Sequence, residues 1–139
     1  MYVDYEMMET VCHPLTMDYL NTDYDPITDF EKHDKPLLES ALGLSGQTYD
    51  GKDLYPTFVK KVAVLFYTLN KDHPFLNGNK RVSVMTLLVF ISLNGKWLKV
   101  DFMEFVNITL KVANSLPDDR DELLEEIEEW LEKNVVKIK

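Results

Sequence analysis

Cysteine is nearly absent. Cys12 is the only one in 139 residues, so no intrachain disulfide can form, which fits a reducing compartment. Positive charge is also scarce: 15 Lys and Arg stand against 24 Asp and Glu, for a formal net charge of −9. A general nucleic-acid binder needs a basic face to neutralise phosphates, so that class is disfavoured; one small positive site is still compatible with the total. Long hydrophobic runs are missing. The longest, Val82 to Leu93, is interrupted by Ser83, Thr86 and Ser92 and is too short to span a bilayer. The first residues, Met1-Tyr2-Val3-Asp4-Tyr5-Glu6, carry neither the positive segment nor the apolar stretch of a signal peptide. No internal repeat or low-complexity segment is present. The expectation is a soluble cytoplasmic protein without direct nucleic-acid or membrane partners. What the chain does have is 45% apolar residues, ample for a core, and a length that suits one domain over residues 1–139.

Residues 1–36 read as a loop-rich cover with short helices, divided by Pro14, Pro26 and Pro36. Leu37, Leu38, Ala41, Leu42 and Leu44 predict a helix ended by Gly43 or Gly46. Asp50-Gly51 is a hairpin-turn signal where strands flank it; residues 47–51 read either as a flap beside a pocket or as an ordinary surface loop. Phe58, Val59, Val62, Ala63, Phe66 and Leu69 form a helical stripe. His73 precedes Pro74, which turns the chain there. Residues 79–94 are apolar nearly all round and stop at Gly95, which predicts a central buried helix surrounded by others. Lys96 to Val100 reads as an extended connection. Asp101 and Glu104 resemble a capping box opening a helix over 101–114. Its buried side is expected to be Phe102, Phe105, Val106, Thr109, Val112 and Ala113. A last helix over 119–135 has Leu123, Leu124, Ile127, Trp130 and Leu131 on one face. Its acidic other face reads as solvated or as a partner surface. The fold class is all-α, about six helices.

The chemistry concentrates in His73-Pro74-Phe75-Leu76-Asn77-Gly78-Asn79-Lys80-Arg81. Gly78 lets the backbone bend sharply and approach a ligand. The N–H groups that open the next helix have no intrahelical acceptor, and phosphate is their natural occupant. Lys80 and Arg81 add positive charge, and Arg81 can grip phosphate through a bidentate fork. The Asn79 amide can donate to a phosphate oxygen. His73 suits a proton acceptor for an attacking hydroxyl. Phe75, apolar in a polar loop, is expected to anchor the turn in the core. A structural reading competes residue by residue: His73 capping a helix, Lys80 and Arg81 simply solvated. The turn lacks the spacing of a Walker A loop, and Cys12, His13 and His33 have no matching second cluster for a metal site.

These nine residues resemble the signature of the Fic/Doc superfamily, most closely its death-on-curing (Doc) branch. The likeness extends from about Leu37 to Leu98, while residues 1–36 resemble nothing usable. The resemblance implies a compact helical bundle with a flap, for which Ser45 to Asp53 fall in the right place. It implies ATP and Mg²⁺ as cofactors and a protein hydroxyl as acceptor. By motif position His73 resembles the catalytic base. Asn79 and Arg81 resemble the phosphate-binding residues, helped by Gly78. Lys80 stands where AMP-transferring members have a second small glycine, and Val84 where they have a second arginine. Both departures point to the branch that transfers the terminal phosphate of ATP, in Doc toxins to a threonine of elongation factor Tu, which stalls translation. Asn77 stands where the family has an acid that helps hold Mg²⁺, so it is a weakened metal ligand. No Ser/Thr-x-x-x-Glu-Gly/Asn self-inhibitory pattern occurs, which leaves restraint to a separate antitoxin. AMP transfer and a catalytically silent nucleotide- or protein-binding domain are the alternatives.

Overall fold

The computed structural model describes residues 1–138. In chain order it runs α1 (Tyr5–Met7), a wide π turn (Met8–Cys12), α2 (His13–Leu20), α3 (Lys35–Gly43), β1 (Thr48–Tyr49), β2 (Lys52–Asp53), α4 (Phe58–Asp72), α5 (Asn79–Leu93), β3 (Lys96–Leu98), α6 (Phe102–Ala113), α7 (Arg120–Asn134) and β4 (Val135–Lys137). Six of these helices have eight residues or more, which makes a mostly helical bundle with two small two-stranded antiparallel sheets.

The N-terminal segment is more regular than its prolines suggest. α1, the π turn and α2 follow one another without a break. Pro14 has no N–H to give the helix ladder, and the wide turn directly before it, closed by the His13 N–H on Met8 O, absorbs the missing bond. Pro36 starts α3 rather than breaking it: it sits in the first turn, where no intrahelical bond is needed, behind an Asp34 cap that accepts from Leu37 N at 3.1 Å.

The central helix is α4, not α5 as its all-round apolar sequence predicts. Every residue of α4 from Val62 to Asn70 is buried, and α3, α5, α6 and α7 all pack on it. Lys60 and Lys61 lie in its half-buried first turn. α5 buries Val82, Ser83, Thr86, Leu87, Phe90 and Ile91. It leaves Val84, Met85, Leu88 and Val89 half-buried, because no further helix closes over that side. Apolar content alone does not say how many neighbours a helix will find.

Two further expectations are corrected. Phe102 is 73% exposed, since the buried face of α6 is set by Phe105, Ile108, Thr109 and Val112. The capping box at Asp101 does not form; Glu104 instead accepts from Trp130 Nε1 at 2.8 Å, joining α6 to α7. The chain after α7 adds β4, which pairs antiparallel with β3 in the register Trp97 to Val136.

The Asp50-Gly51 hairpin is present, with Thr48 opposite Asp53 and Tyr49 opposite Lys52. Both turn residues have positive φ, 52° and 76°, the backbone of the tight turn that suits twisted strands. Lys61 clamps its base with Nζ on Ser45 O, Asp53 Oδ2 and Tyr55 O.

Candidate functional site

The turn between α4 and α5 is held from three directions. α4 ends at His73, whose backbone is left-handed (φ 52°) and whose side chain is exposed. A proline follows, so the chain leaves the helix in one step. Phe75 then plunges inward and is 1% exposed. Its ring stacks on His13 at 5.3 Å between centroids and packs near Phe30 and His33. His13 Nε2 donates to Thr28 O at 2.8 Å. His33 Nδ1 bonds Phe30 O while its Nε2 pairs with the Tyr5 hydroxyl. Both histidines are therefore committed to the support beneath the turn.

Asn79 acts on the turn itself. Its Oδ1 accepts from Phe75 N at 3.0 Å and its Nδ2 donates to Phe75 O at 2.7 Å. The two bonds close the loop into a ring from residue 75 to 79. Gly78, with φ of 94°, opens α5 and no side chain caps that helix. A Cβ on Gly78 would lie 2.9 Å from Ile27 Cγ1 and Cγ2. Glycine is thus required twice over, by backbone angle and by close approach.

The third support is a strap, residues 21–28, that lies against the turn. Asn21 Oδ1 closes the strap by accepting from Ile27 N at 2.8 Å. Thr28 Oγ1 accepts from Asn77 N at 2.7 Å, and Thr28 N donates to Asn77 O at 3.1 Å. Asn77 Nδ2 donates to Asp25 Oδ1 at 2.6 Å and to Pro26 O at 2.7 Å. Arg81 Nη1 donates to Leu20 O and Asp25 O, at 3.2 and 2.8 Å, and its Nη2 lies 3.4 Å from Asp25 Oδ2. Asp34 N, at the start of α3, adds a 2.7 Å bond to Pro74 O.

The nine residues read from sequence as one site therefore do form one turn, with different side-chain duties. His73 and Lys80 are exposed. Arg81 is half-buried and turned toward the strap, and Asn79 is turned back onto Phe75. Val84 lines an apolar cleft of about 230 Å³ beside Lys80 and Arg81, with Leu20, Phe105 and Leu110 among its walls. Sequence reasoning missed Asp25, Ile27, Thr28 and His13. They lie about 50 residues or more before their partners, and no local pattern marks them. Cys12 is fully buried, and burial pushes its thiol up to about 12. It is neither a nucleophile nor a ready thiolate ligand.

A family model described as the Fic/DOC family matches residues 4–91. The matched span thus takes in most of residues 1–36, where the sequence by itself showed no likeness. Toxin Doc of Mycolicibacterium smegmatis (strain ATCC 700084 / mc(2)155) is 32% identical over 74 residues. The alignment covers 53% of this chain and 57% of that relative, little more than half of each. No solved structure matches the chain significantly.

Proposed function

The chain belongs to the Fic/DOC family, and from that premise we propose that it transfers the γ-phosphoryl group of ATP to a Ser or Thr hydroxyl of another protein, as a Doc-like toxin. The observation that carries this is the turn itself: an exposed His73, a left-handed Gly78, an uncapped α5 N-terminus, and Lys80 and Arg81 in its first turn. The backbone N–H groups and the two cations favour an anionic phosphate at that end of α5. Asn79 shapes the turn that presents them. His73 accepts the proton of the acceptor hydroxyl as its oxygen attacks Pγ. The new O–Pγ bond forms while the bond from Pγ to the bridging oxygen breaks, and ADP leaves. Val84 and the apolar cleft wall stand where AMP transfer would call for a second arginine, which favours γ- over α-phosphoryl transfer.

The turn itself offers a hard cation such as Mg²⁺ little, because the Asn77 amide turns its nitrogen to Asp25 and the other Asp25 oxygen lies beside Arg81; the oxygens that Mg²⁺ prefers would come from the nucleotide phosphates. Bound with the nucleotide, Mg²⁺ would neutralise phosphate charge. The protein partners proposed are an acceptor protein, with elongation factor Tu the first to test, and a separate antitoxin. Among the described residues no helix is long and apolar enough to cross a membrane.

ATP labelled separately at the α and γ positions, incubated with the protein and candidate acceptors, tests the reading. Label transferred from γ alone is the expected result; label from α alone identifies AMP transfer instead. The engagement of Arg81 with Leu20 O and Asp25 favours one other reading, a silent binding domain. Nucleotide binding with no transfer of either label, and unchanged cell growth on expression, is the outcome that would establish it.

A further inference from the structure

The cleft beside the turn is lined by an apolar stripe that the chain covers only in its middle. α6 brings Phe102, Phe105, Val106, Thr109 and Leu110 to it, the i, i+3, i+4, i+7, i+8 spacing of one helical face. Val84 of α5 and Leu20 at the end of α2 add to its walls. Phe105 and Thr109 are buried, but the two ends of the stripe are not: Phe102 is 73% exposed and Leu110 43%. Large apolar side chains gathered at one open cleft mark a place where something apolar is received. The volume, about 230 Å³, is below the roughly 300–1,000 Å³ of pockets that enclose a whole drug-sized ligand. It has room for a ring system, not for an entire nucleotide.

Two cations join this cleft to the turn. Lys80 and Arg81 stand in the first turn of α5 and also line the cleft. Arg81 Nη1 donates at 3.2 Å to the carbonyl of Leu20, itself a cleft residue. Asn79 and Val84 are five residues apart on α5, about 7.5 Å along the helix axis. A polyanion held at the uncapped N–H groups runs past both cations and delivers what it carries to the cleft. We propose that the cleft takes the base of the nucleoside triphosphate, stacked on Phe102 and the apolar walls, while the γ-phosphate lies at the turn. The inference rests on the reading of the turn as a nucleotide-phosphate site. The lining also sets the specificity. Thr109 Oγ1 donates to Phe105 O at 2.8 Å, and Arg81 is engaged with Leu20 O and Asp25 O. Lys80 has no hydrogen bond among the described contacts, but an ammonium on a flexible stem reads charge rather than the edge of a base. A base held by its face is not told apart from another of the same size. Adenine and guanine are therefore accepted alike.

Calorimetric titration with ATP, GTP and inorganic tripolyphosphate tests this on the wild type, Phe102→Ala and Phe102→Tyr. Thermal melts report folding, which the exposed Phe102 should leave unchanged. The wild type is expected to bind ATP and GTP within about threefold of each other, and each about tenfold more tightly than tripolyphosphate. Phe102→Ala should lose about tenfold for both nucleotides and nothing for tripolyphosphate. Phe102→Tyr keeps a ring and should bind as wild type. Tripolyphosphate bound as tightly as ATP overturns the inference. So does a Phe102→Ala protein that weakens all three ligands equally, or a Phe102→Tyr protein no better than Phe102→Ala. More than tenfold discrimination between ATP and GTP overturns recognition by stacking. A Phe102→Ala protein with wild-type ATP affinity but slower label transfer assigns the cleft to the acceptor protein instead. In each of those cases wild-type ATP binding still upholds the nucleotide reading; a wild type that binds neither ATP nor tripolyphosphate overturns both.

Discussion

Ile27 and Gly78 approach so closely that a methyl group on Gly78 would meet the Ile27 side chain at 2.9 Å. The strap and the turn before α5 are in that sense one packed unit. Gly78→Ala adds a clash to a backbone with φ of 94°, and a loss of roughly 2–4 kcal/mol is expected. Ile27→Ala removes the clash but leaves the backbone strain and opens a cavity. The double variant should therefore lose less than the sum of the singles by at least about 0.5 kcal/mol. Denaturant titration of the three proteins measures it, and strict additivity would show that the contact is not felt.

Asn79 is a positioning residue by its contacts. Asn79→Ala removes both bonds to Phe75 and should cost roughly 1–3 kcal/mol. It should shift the denaturation midpoint without changing the slope. Asn79→Asp keeps an acceptor for Phe75 N but sets a carboxylate oxygen against Phe75 O, so it should not rescue. Rescue by aspartate would mean that the turn does not need the donor.

His73 is exposed, has left-handed backbone, and has no hydrogen bond among the described contacts. Asparagine tolerates that backbone well, which makes His73→Asn a cleaner probe than alanine. Its stability should stay within about 0.5 kcal/mol of wild type, while phosphoryl transfer falls by about 10²–10⁴-fold. ATP affinity should be retained. Unchanged transfer would remove His73 from the mechanism.

Cys12 gives a pH signature. Burial raises its thiol from 9.0 to about 12, the charge of Asp4 adds to the rise, and the hydrogen bond with Thr86 opposes it. A raised value means that the fold favours the protonated thiol. The resulting stability is complete below pH 9.0 and is lost as pH climbs toward about 12. The wild type should lose more stability across that window than Cys12→Ala, whose own cavity cost does not depend on pH. Iodoacetamide should label Cys12 only in denaturant. Rapid labelling of the folded protein would contradict the burial.

The sequence by itself determined the parts whose causes are local. Gly78 before an apolar run marked a bend opening a helix, His73-Pro74 marked where α4 stops, and Asp50-Gly51 marked a hairpin turn. Each follows from backbone sterics or periodicity within a few residues. The likeness carried by His73 to Arg81 was legible for the same reason, since one short turn holds all of it. Only the tertiary structure decided what those side chains touch. Whether Asn79 faces a ligand or Phe75 depends on loop closure, and whether α4 or α5 is central depends on how many helices pack on each. Asp25, Thr28 and His13 reach the turn because a helix and a strap fold back across it, and the packing that brings them there leaves no periodic trace in the chain. Asn77 shows the division most clearly. Read alone it is an acid replaced by an amide; beside Asp25 it is the neutral donor that ties the turn to the strap.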